Sequence, residues 1–445
     1  MAAGSYSPQL QYFLQRLSGF STNIFKLEPQ NKSDDITAHQ IIRFSLPSNA
    51  LLNTRSFALH FNAETVGGAG TSKARLPAKI DTLIERVEIT AGGVQISQGS
   101  NYYNVLRHAK DALMGNKCNP VLGHPDLIRN FSPISAGALT ANNESYTNVK
   151  RPFCIDYWEG FLGTCEPKIL DASILPDLVI SIYLADNKVL TTSDEVNSAA
   201  NMILETTASG AATFKLSDVC ATIETIGLAD ATYDNLVASM MSAKGFLEIP
   251  FKQYFAFQNV HSGNTRFSLA CQSLDRVWVA TRTADFDDGK APKAVNGSGV
   301  GATSIDQLGT QEKYLGKYYN FHHAAAGGDA NLLQYQLQFN GAYYPQFPAT
   351  PEQMYQISKN STVGYHMDEY SLQAYLSNYF VQCVRLNMPD SEYSRLLSGL
   401  DTRAIQVQGQ YVTTGTLAGT PTINIFCECT STLRCGPGKM IEIVV

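Results

Sequence analysis

The chain has 445 residues, enough for two or three domains with their own cores, and its 16% charged fraction beside 44% hydrophobic excludes a disordered polymer. A net charge of −6 leaves no overall basic excess, so any contact with nucleic acid must come from a local patch or from another protein. No run of about eighteen apolar residues occurs, and the opening Met-Ala-Ala-Gly-Ser has neither the basic nor the apolar region of a secretory signal. The expectation is a chain made in a cytosol-like compartment, with nine cysteines kept as reduced thiols and no structural disulfide or zinc.

Residues 1–30 read as an N-terminal helical arm. Leu10, Phe13, Leu14 and Leu17 fall at helical spacing on one face, ending near Gly19. That stripe suits packing either on its own domain or on a neighbouring subunit. Strand signals follow closely. Ile36 to Leu46 is rich in β-formers and stops at Pro47, and Phe57, Leu59, Phe61 and Ala63 alternate with Ala58, His60 and Asn62. Val66 to Ala74 reads as a polar loop. Leu83 to Thr90 leads into Gly92-Gly93, then Val94 and Ile96, which predicts a hairpin. A helix over Asn101 to Met114 follows, with the stripe Tyr102, Val105, Leu106, Ala109 and Leu113, an N-cap at Ser100 or Asn101, and a stop at Gly115. Ser132 to Asn148 is loop-like, Leu178 to Leu184 alternates cleanly, and Phe214 with Leu216 forms a short strand candidate.

Residues 226–244 carry helical spacing through Leu236, Val237, Met240 and Met241 and are expected to link two halves. The second half opens with Leu247, Ile249 and Phe251, interrupted by Pro250 as befits an edge strand. Ser273 to Arg282 is a strand, and Asp285 to Gly309 a long loop. Leu333 to Phe339 leads through Asn340-Gly341 into Tyr343-Tyr344, and Thr350-Pro351-Glu352-Gln353 then writes a capping box for a second helix. Leu372 to Leu386, Ile405 with Val407, Ile423 to Cys429 and Ile441 to Val444 complete the strands. The hairpin-then-helix unit thus occurs twice, half a chain apart. The expected organisation is an arm over 1–30, a β-domain over 31–225, a linker helix over 226–244 and a second β-domain over 245–445. Many strands with wide polar loops indicate an all-β sandwich or barrel in each half.

No catalytic constellation stands out. Gly297 to Ser304 is glycine-rich but lacks the lysine a phosphate-binding loop requires. Cys427, Cys429 and Cys435 lack the turn-borne spacing of a zinc site, and His322-His323 has no acidic or thiol partner at ligand spacing. Neither Cys118 nor Cys154 has a histidine that the sequence places beside it. Sequons at Asn31, Asn143, Asn296 and Asn360 are expected to be chance matches, and Arg43, Arg55, Lys73 and Arg75 give a local basic bias. No catalytic residue, metal or cofactor is expected.

Several stretches resemble the double jelly-roll major capsid proteins of double-stranded DNA viruses, with a closer likeness to the polinton-like virus and virophage-like group. They are Leu83 to Val87 with Tyr102 to Leu106, Gly245 to Pro250, Tyr343-Tyr344-Pro345, and Ser398 to Thr402. The resemblance implies an all-β chain of two tandem eight-stranded jelly-roll barrels with short inserted helices. It implies homotrimeric pseudo-hexagonal capsomers tiling an icosahedral shell, with penton and minor capsid proteins as partners and no sequence-specific nucleic-acid binding. Location in the virion capsid after synthesis in host cytoplasm or nucleus, without secretion, follows from the same likeness. In that setting Leu10, Phe13, Leu14 and Leu17 are expected at contacts between capsomers. A jelly-roll carbohydrate-binding or hydrolytic protein is the competing reading; a hydrolase would require paired carboxylates in a cleft.

Overall fold

The structure, a computed structural model, describes residues 20–31, 35–48, 50–66, 72–77, 80–97, 101–114, 150–195, 204–205, 213–228, 239, 242, 245–282, 321, 333–362, 372, 375–376, 380–388, 397–403, 408–417 and 421–445. The first half contains β1 (Phe20–Leu27), β2 (Ile36–Thr37), β3 (Ile41–Ser45), β4 (Leu51–Val66), β5 (Ser72–Arg75), β6 (Ile84–Ala91), β7 (Val94–Ser97), β8 (Arg151–Ile155), β9 (Ile169–Asp171), β10 (Leu178–Leu184), β11 (Thr191–Glu195), β12 (Leu204–Glu205) and β13 (Thr213–Leu228). The second contains β14 (Leu247–Val260), β15 (Asn264–Ser268), β16 (Leu274–Arg282), β17 (Gln334–Phe339), β18 (Ala342–Ala349), β19 (Val381–Arg385), β20 (Gln408–Thr414), β21 (Thr422–Gly436) and β22 (Met440–Val444).

The ladders make one topology twice. In the first half the sheets run β1-β13-β4-β8, with β2 and β9 at the margins, and β3-β10-β6-β7; β5, β11 and β12 form a small third sheet. In the second half they run β14-β21-β16-β19, with β22 on β21, and β15-β20-β17-β18. When the eight principal strands of each half are numbered in chain order, both halves read 1-8-3-6 in one sheet and 2-7-4-5 in the other. That is an eight-stranded jelly roll, made twice. Among the described residues no ladder joins a strand of one half to a strand of the other.

Local chemistry accounts for the repeated unit. Both hairpins join strands four and five, and both turns hold two successive residues at positive φ: Gly92 at 55° and Gly93 at 85°, Asn340 at 48° and Gly341 at 82°. That is the turn whose twist matches the flanking strands. Tyr335, Leu337 and Phe339 alternate inward along β17, as the period-two pattern requires. The helix Pro351–Ser361 starts on the expected capping box: Thr350 accepts from the Gln353 backbone N–H, and the Gln353 side chain accepts from Thr350 N–H. Each helix, Tyr103–Met114 and Pro351–Ser361, lies between strands five and six of its half.

Several expectations are corrected. Residues 20–27 do not belong to a free arm: β1 pairs with β13 along its whole length and is the first strand of the first jelly roll. The short candidate at Phe214 and Leu216 is the beginning of a 16-residue strand that runs to Leu228, so 226–228 are strand rather than linker helix. The polar residues Thr213, Lys215, Asp218, Thr222 and Glu224 at its less buried positions hid the pattern. Part of the polar stretch 66–74 is β5, which pairs with β11. Ile36 to Leu46 is two strands divided at His39, where φ is 63°. The long strand expected over 372–386 is confined to β19, since Leu372, Tyr375 and Leu376 are helical. The first helix starts at Tyr103; Tyr102 precedes it at φ 65° and is only half-buried.

Candidate functional site

The helix Tyr103–Met114 has no solvent face. Every residue from Tyr103 to Leu113 is buried, including Asn104, Arg107, His108, Lys110 and Asp111. The helix packs on β6 of its own jelly roll, and Val105, Leu106, Ala109 and Leu113 are part of the hydrophobic core. It also meets the 1-8-3-6 sheet of the second jelly roll, touching β19. A buried charge costs several kcal/mol unless it is paired and hydrogen-bonded, so the polar residues here must find partners across the seam.

They do so in a connected network. Arg107 donates to Asp111 Oδ1 at 2.8 Å and lies 3.7 Å from Asp81 and 3.6 Å from Glu159. Its guanidinium also stacks 4.2 Å from the centre of the Tyr157 ring. His108 Nε2 is 3.3 Å from Asp81 Oδ1. Lys110 Nζ donates to Glu159 Oε2 at 2.5 Å and to the Tyr254 hydroxyl at 2.8 Å, which joins the first half to β14. Tyr254 in turn donates to Glu159 Oε2 at 3.2 Å, and the Glu159 backbone N–H donates to the Tyr103 hydroxyl. Deeper in the second half, Trp278 Nε1 donates to Glu428 Oε2 at 3.1 Å, and Arg276 reaches Glu428 Oε1 at 3.4 Å. Lys252 donates to Asp275 at 2.6 Å and to Thr430 at 2.7 Å, while Ser273 donates to the other Asp275 oxygen.

Two backbone links cross the seam as well. Lys252 N–H donates to Thr164 Oγ1 at 2.9 Å, and Glu166 N–H donates to the Pro250 carbonyl at 3.0 Å. Phe161 meets Phe251 edge-on at 5.2 Å.

The electrostatics hold the charged forms in place. Burial presses the Lys110 ammonium toward neutrality, but Glu159, Tyr254 and Glu428 together outweigh it and raise the Lys110 pKa. Burial likewise favours the neutral Glu428 carboxyl, and Arg276, Lys110 and Lys252 together outweigh that and lower its pKa. Burial opposes the charge on Arg107 too; Asp111, Glu159 and Asp81 overcome it. The carboxylates that lie close together are therefore engaged by buried cations.

The residues singled out in the sequence do not gather here. Leu10, Phe13, Leu14 and Leu17 lie outside the described residues, as do Gly297 to Ser304, His322-His323, Cys118, Asn143 and Asn296. Cys427, Cys429 and Cys435 are buried free thiols on β21, and Cys429 Sγ lies 3.0 Å from Cys271 Sγ. Burial pushes the Cys435 thiol up to about 12. Cys154 is half-buried on β8. Arg43 is exposed on β3 and Arg55 on β4 pairs with Glu166 at 2.8 Å, while Lys73 and Arg75 belong to β5. Among the described residues no group of three His, Cys, Asp or Glu side chains has the geometry of a metal site. The sequence reading missed Arg107, Lys110 and Asp111 because a single apolar stripe leaves the remaining positions free to face water. The Arg107–Asp111 pair at i,i+4 was the one available signal, and such pairs are common on solvated helices.

No family model and no curated protein matches the chain. Solved structures do. PBCV-1 VP54, as fitted into a reconstruction of the virophage Sputnik, superposes with a TM-score of 0.58 at 14% identity over 97% of this chain and 98% of that one. The quasi-atomic model of the PBCV-1 virus capsid gives 0.54 at 15% identity over 97% and 98%. The Faustovirus major capsid protein gives 0.55 at 8% identity over 95% and 91%. The chain has the double jelly-roll fold of these proteins.

Proposed function

We propose that this protein is a major capsid protein: a structural subunit that forms homotrimeric, pseudo-hexagonal capsomers tiling an icosahedral virus shell. The observation that carries this reading is the jelly roll made twice along one chain and superposable nearly end to end on viral capsid subunits. Two barrels per chain and a threefold axis give a ring of six, a shape that packs on a hexagonal lattice. In this reading the two jelly rolls are the domains, joined through 229–244. Neighbouring capsomers, penton and minor capsid proteins are the partners, and the virion is the final location. The hydrolytic alternative loses support from the seam, where the clustered carboxylates are buried against Arg107, Lys110, Lys252 and Arg276.

Light scattering on purified protein tests the proposal. The expected mass is three times the 48.6 kDa chain, with hexagonal outlines in electron micrographs. A stable monomer at micromolar concentration would overturn it. Leu10, Phe13, Leu14 and Leu17 are assigned to contacts between capsomers. Because β1 begins at Phe20, the informative truncation removes residues 1–19 and leaves the sheet intact. It should spare the melting temperature of the capsomer and impair shell assembly.

A further inference from the structure

The second jelly roll holds two buried thiols in direct contact. Cys271 lies in the connection between β15 and β16, where the chain passes from one sheet of the barrel to the other. Cys429 lies on β21, two residues from Cys427 and on the same face of the strand as Ile425 and Ile423. Both are buried free thiols, and the Cys429 thiol donates to Cys271 Sγ at 3.0 Å. Cys271 is held in place by Thr402. The Cys271 N–H donates to Thr402 Oγ1 at 2.9 Å, the Thr402 N–H donates to the Cys271 carbonyl at 2.9 Å, and the Thr402 hydroxyl lies 3.4 Å from the Cys271 sulfur. Cys429 is fixed by its ladders, opposite Gln253 on β14 and Leu274 on β16. The hydrogen bond from Cys429 favours the thiolate form of Cys271 and lowers its pKa, while burial pushes the Cys429 thiol up. The first half has no counterpart: its connection 46–50 between β3 and β4 carries no cysteine, and Cys220 on β13 stands opposite His60.

We propose that Cys271 and Cys429 are a redox site that closes to a disulfide when the protein meets a peroxide, clipping the corner between the two sheets of the second jelly roll to its eighth strand. The Cys271 thiolate attacks one oxygen of hydrogen peroxide. An S–O bond forms, the O–O bond breaks, and hydroxide leaves and takes up the proton that Cys271 gave away. The Cys429 sulfur then attacks the sulfenic sulfur of Cys271. The S–S bond forms, the S–O bond breaks, and the Cys429 proton departs with the oxygen as water. Two thiols are oxidised and one peroxide is reduced to two waters. Because both sulfurs are buried, the oxidant is a small neutral molecule rather than a bulky disulfide. The two residues are 158 apart in the chain, and closing so long a loop removes freedom from the unfolded state. The folded state needs little motion, since the sulfurs already touch. Reduced thiols are expected where the chain is made, so the clip belongs to the time after the protein has left that compartment. That timing alone rests on the capsid reading; the bond itself does not.

The test compares the full chain kept in reductant with the same chain treated with hydrogen peroxide. Peptide mapping without reductant should find the segment holding Cys271 joined to the segment holding Cys429. Alkylation after denaturation should label all nine cysteines of the reduced chain and leave Cys271 and Cys429 of the oxidised chain unlabelled. The oxidised chain should melt about 5–10 °C above the reduced one, and dithiothreitol should reverse the shift. Cys271→Ser and Cys429→Ala should each abolish the shift, while Cys154→Ser in the first jelly roll should keep it. Sulfinic or sulfonic acid at Cys271 with no joined peptide, a bond from Cys271 to Cys427 instead, or an unchanged melt of the joined chain would overturn the proposal. Where a variant does not fold, the map of the wild-type chain decides. The mass of the wild-type protein is measured beside it. A monomer that forms the bond removes the capsid reading and leaves the clip, whereas a trimer with both thiols free after peroxide removes only the clip.

Discussion

The two 1-8-3-6 sheets share a strand order and differ in what lies on their outward faces. In the second half that face is covered by the chain itself and carries Lys252, Tyr254, Arg276, Trp278 and Glu428, all joined in fixed ionic and hydrogen-bonded pairs. In the first half the outward positions are partly exposed among the described residues and mix neutral and charged groups: His60 bonds to Thr222 at 2.9 Å, Asn53 donates to Glu224, and Lys215 lies 3.9 Å from Glu64. The difference follows from whether each face is covered. A contact made during folding of one chain can enclose charges, since the same chain supplies every counter-ion at fixed distance. On a face that stays partly in water, charges such as Lys26 and Glu224 remain solvated and need no such enclosure.

The largest expected effect comes from breaking the seam. Lys110→Met leaves Glu159 buried with only its longer contacts, and the loss should be about 3–5 kcal/mol in denaturant unfolding. Adding Glu159→Gln to it should recover more than half; no recovery would mean that the pair does not hold the halves together. Acid gives the next effect. His261, in the second half, is buried between Thr265 and Thr413 at 2.8 Å and 2.7 Å, and burial lowers its pKa to about 4. The unfolded chain takes up the proton below about pH 6.5, while the folded chain stays neutral to about pH 4. Stability is therefore full above that window, falls through it by about 3 kcal/mol, and levels off below. His261→Gln should flatten this part of a melting-temperature profile.

Smaller is Ser358→Ala, which removes the acceptor of the Cys383 backbone N–H at the edge of the second-half sheet and should cost about 1–2 kcal/mol. Smallest is Ile24→Thr on the exposed strand β1. Its effect on the melt of the isolated chain should stay within about 0.5 kcal/mol, which a thermal scan of dilute protein would check. A larger loss would mean that this face is already covered within the molecule.

Much of the double fold was legible because turns and alternation are local signals. Gly92-Gly93, Asn340-Gly341 and Thr350-Pro351-Glu352-Gln353 each specify their structure within a few residues. Strands β1 and β13 were underestimated for the opposite reason. β1 is exposed along nearly its whole length, so no core pattern marks Phe20 to Leu27, and only its partner makes it a strand. Likewise Lys110 and Tyr254 lie 144 residues apart, and nothing in either neighbourhood tells of the other. The seam was invisible because its logic is entirely long-range.

The serines of the helix Pro351–Ser361 have a consequence for life at high concentration. Ser358 Oγ accepts from Cys383 N–H at 3.0 Å and Ser361 Oγ from Arg385 N–H at 3.2 Å, while the Arg385 guanidinium donates to the Ser361 carbonyl. β19 is the outer strand of its sheet, and its open side is thereby occupied by side chains of the same molecule. An incoming strand finds no row of donors to copy, so the sheet cannot lengthen from chain to chain into a fibre. Crowding then favours the closed, countable contact over the open-ended one.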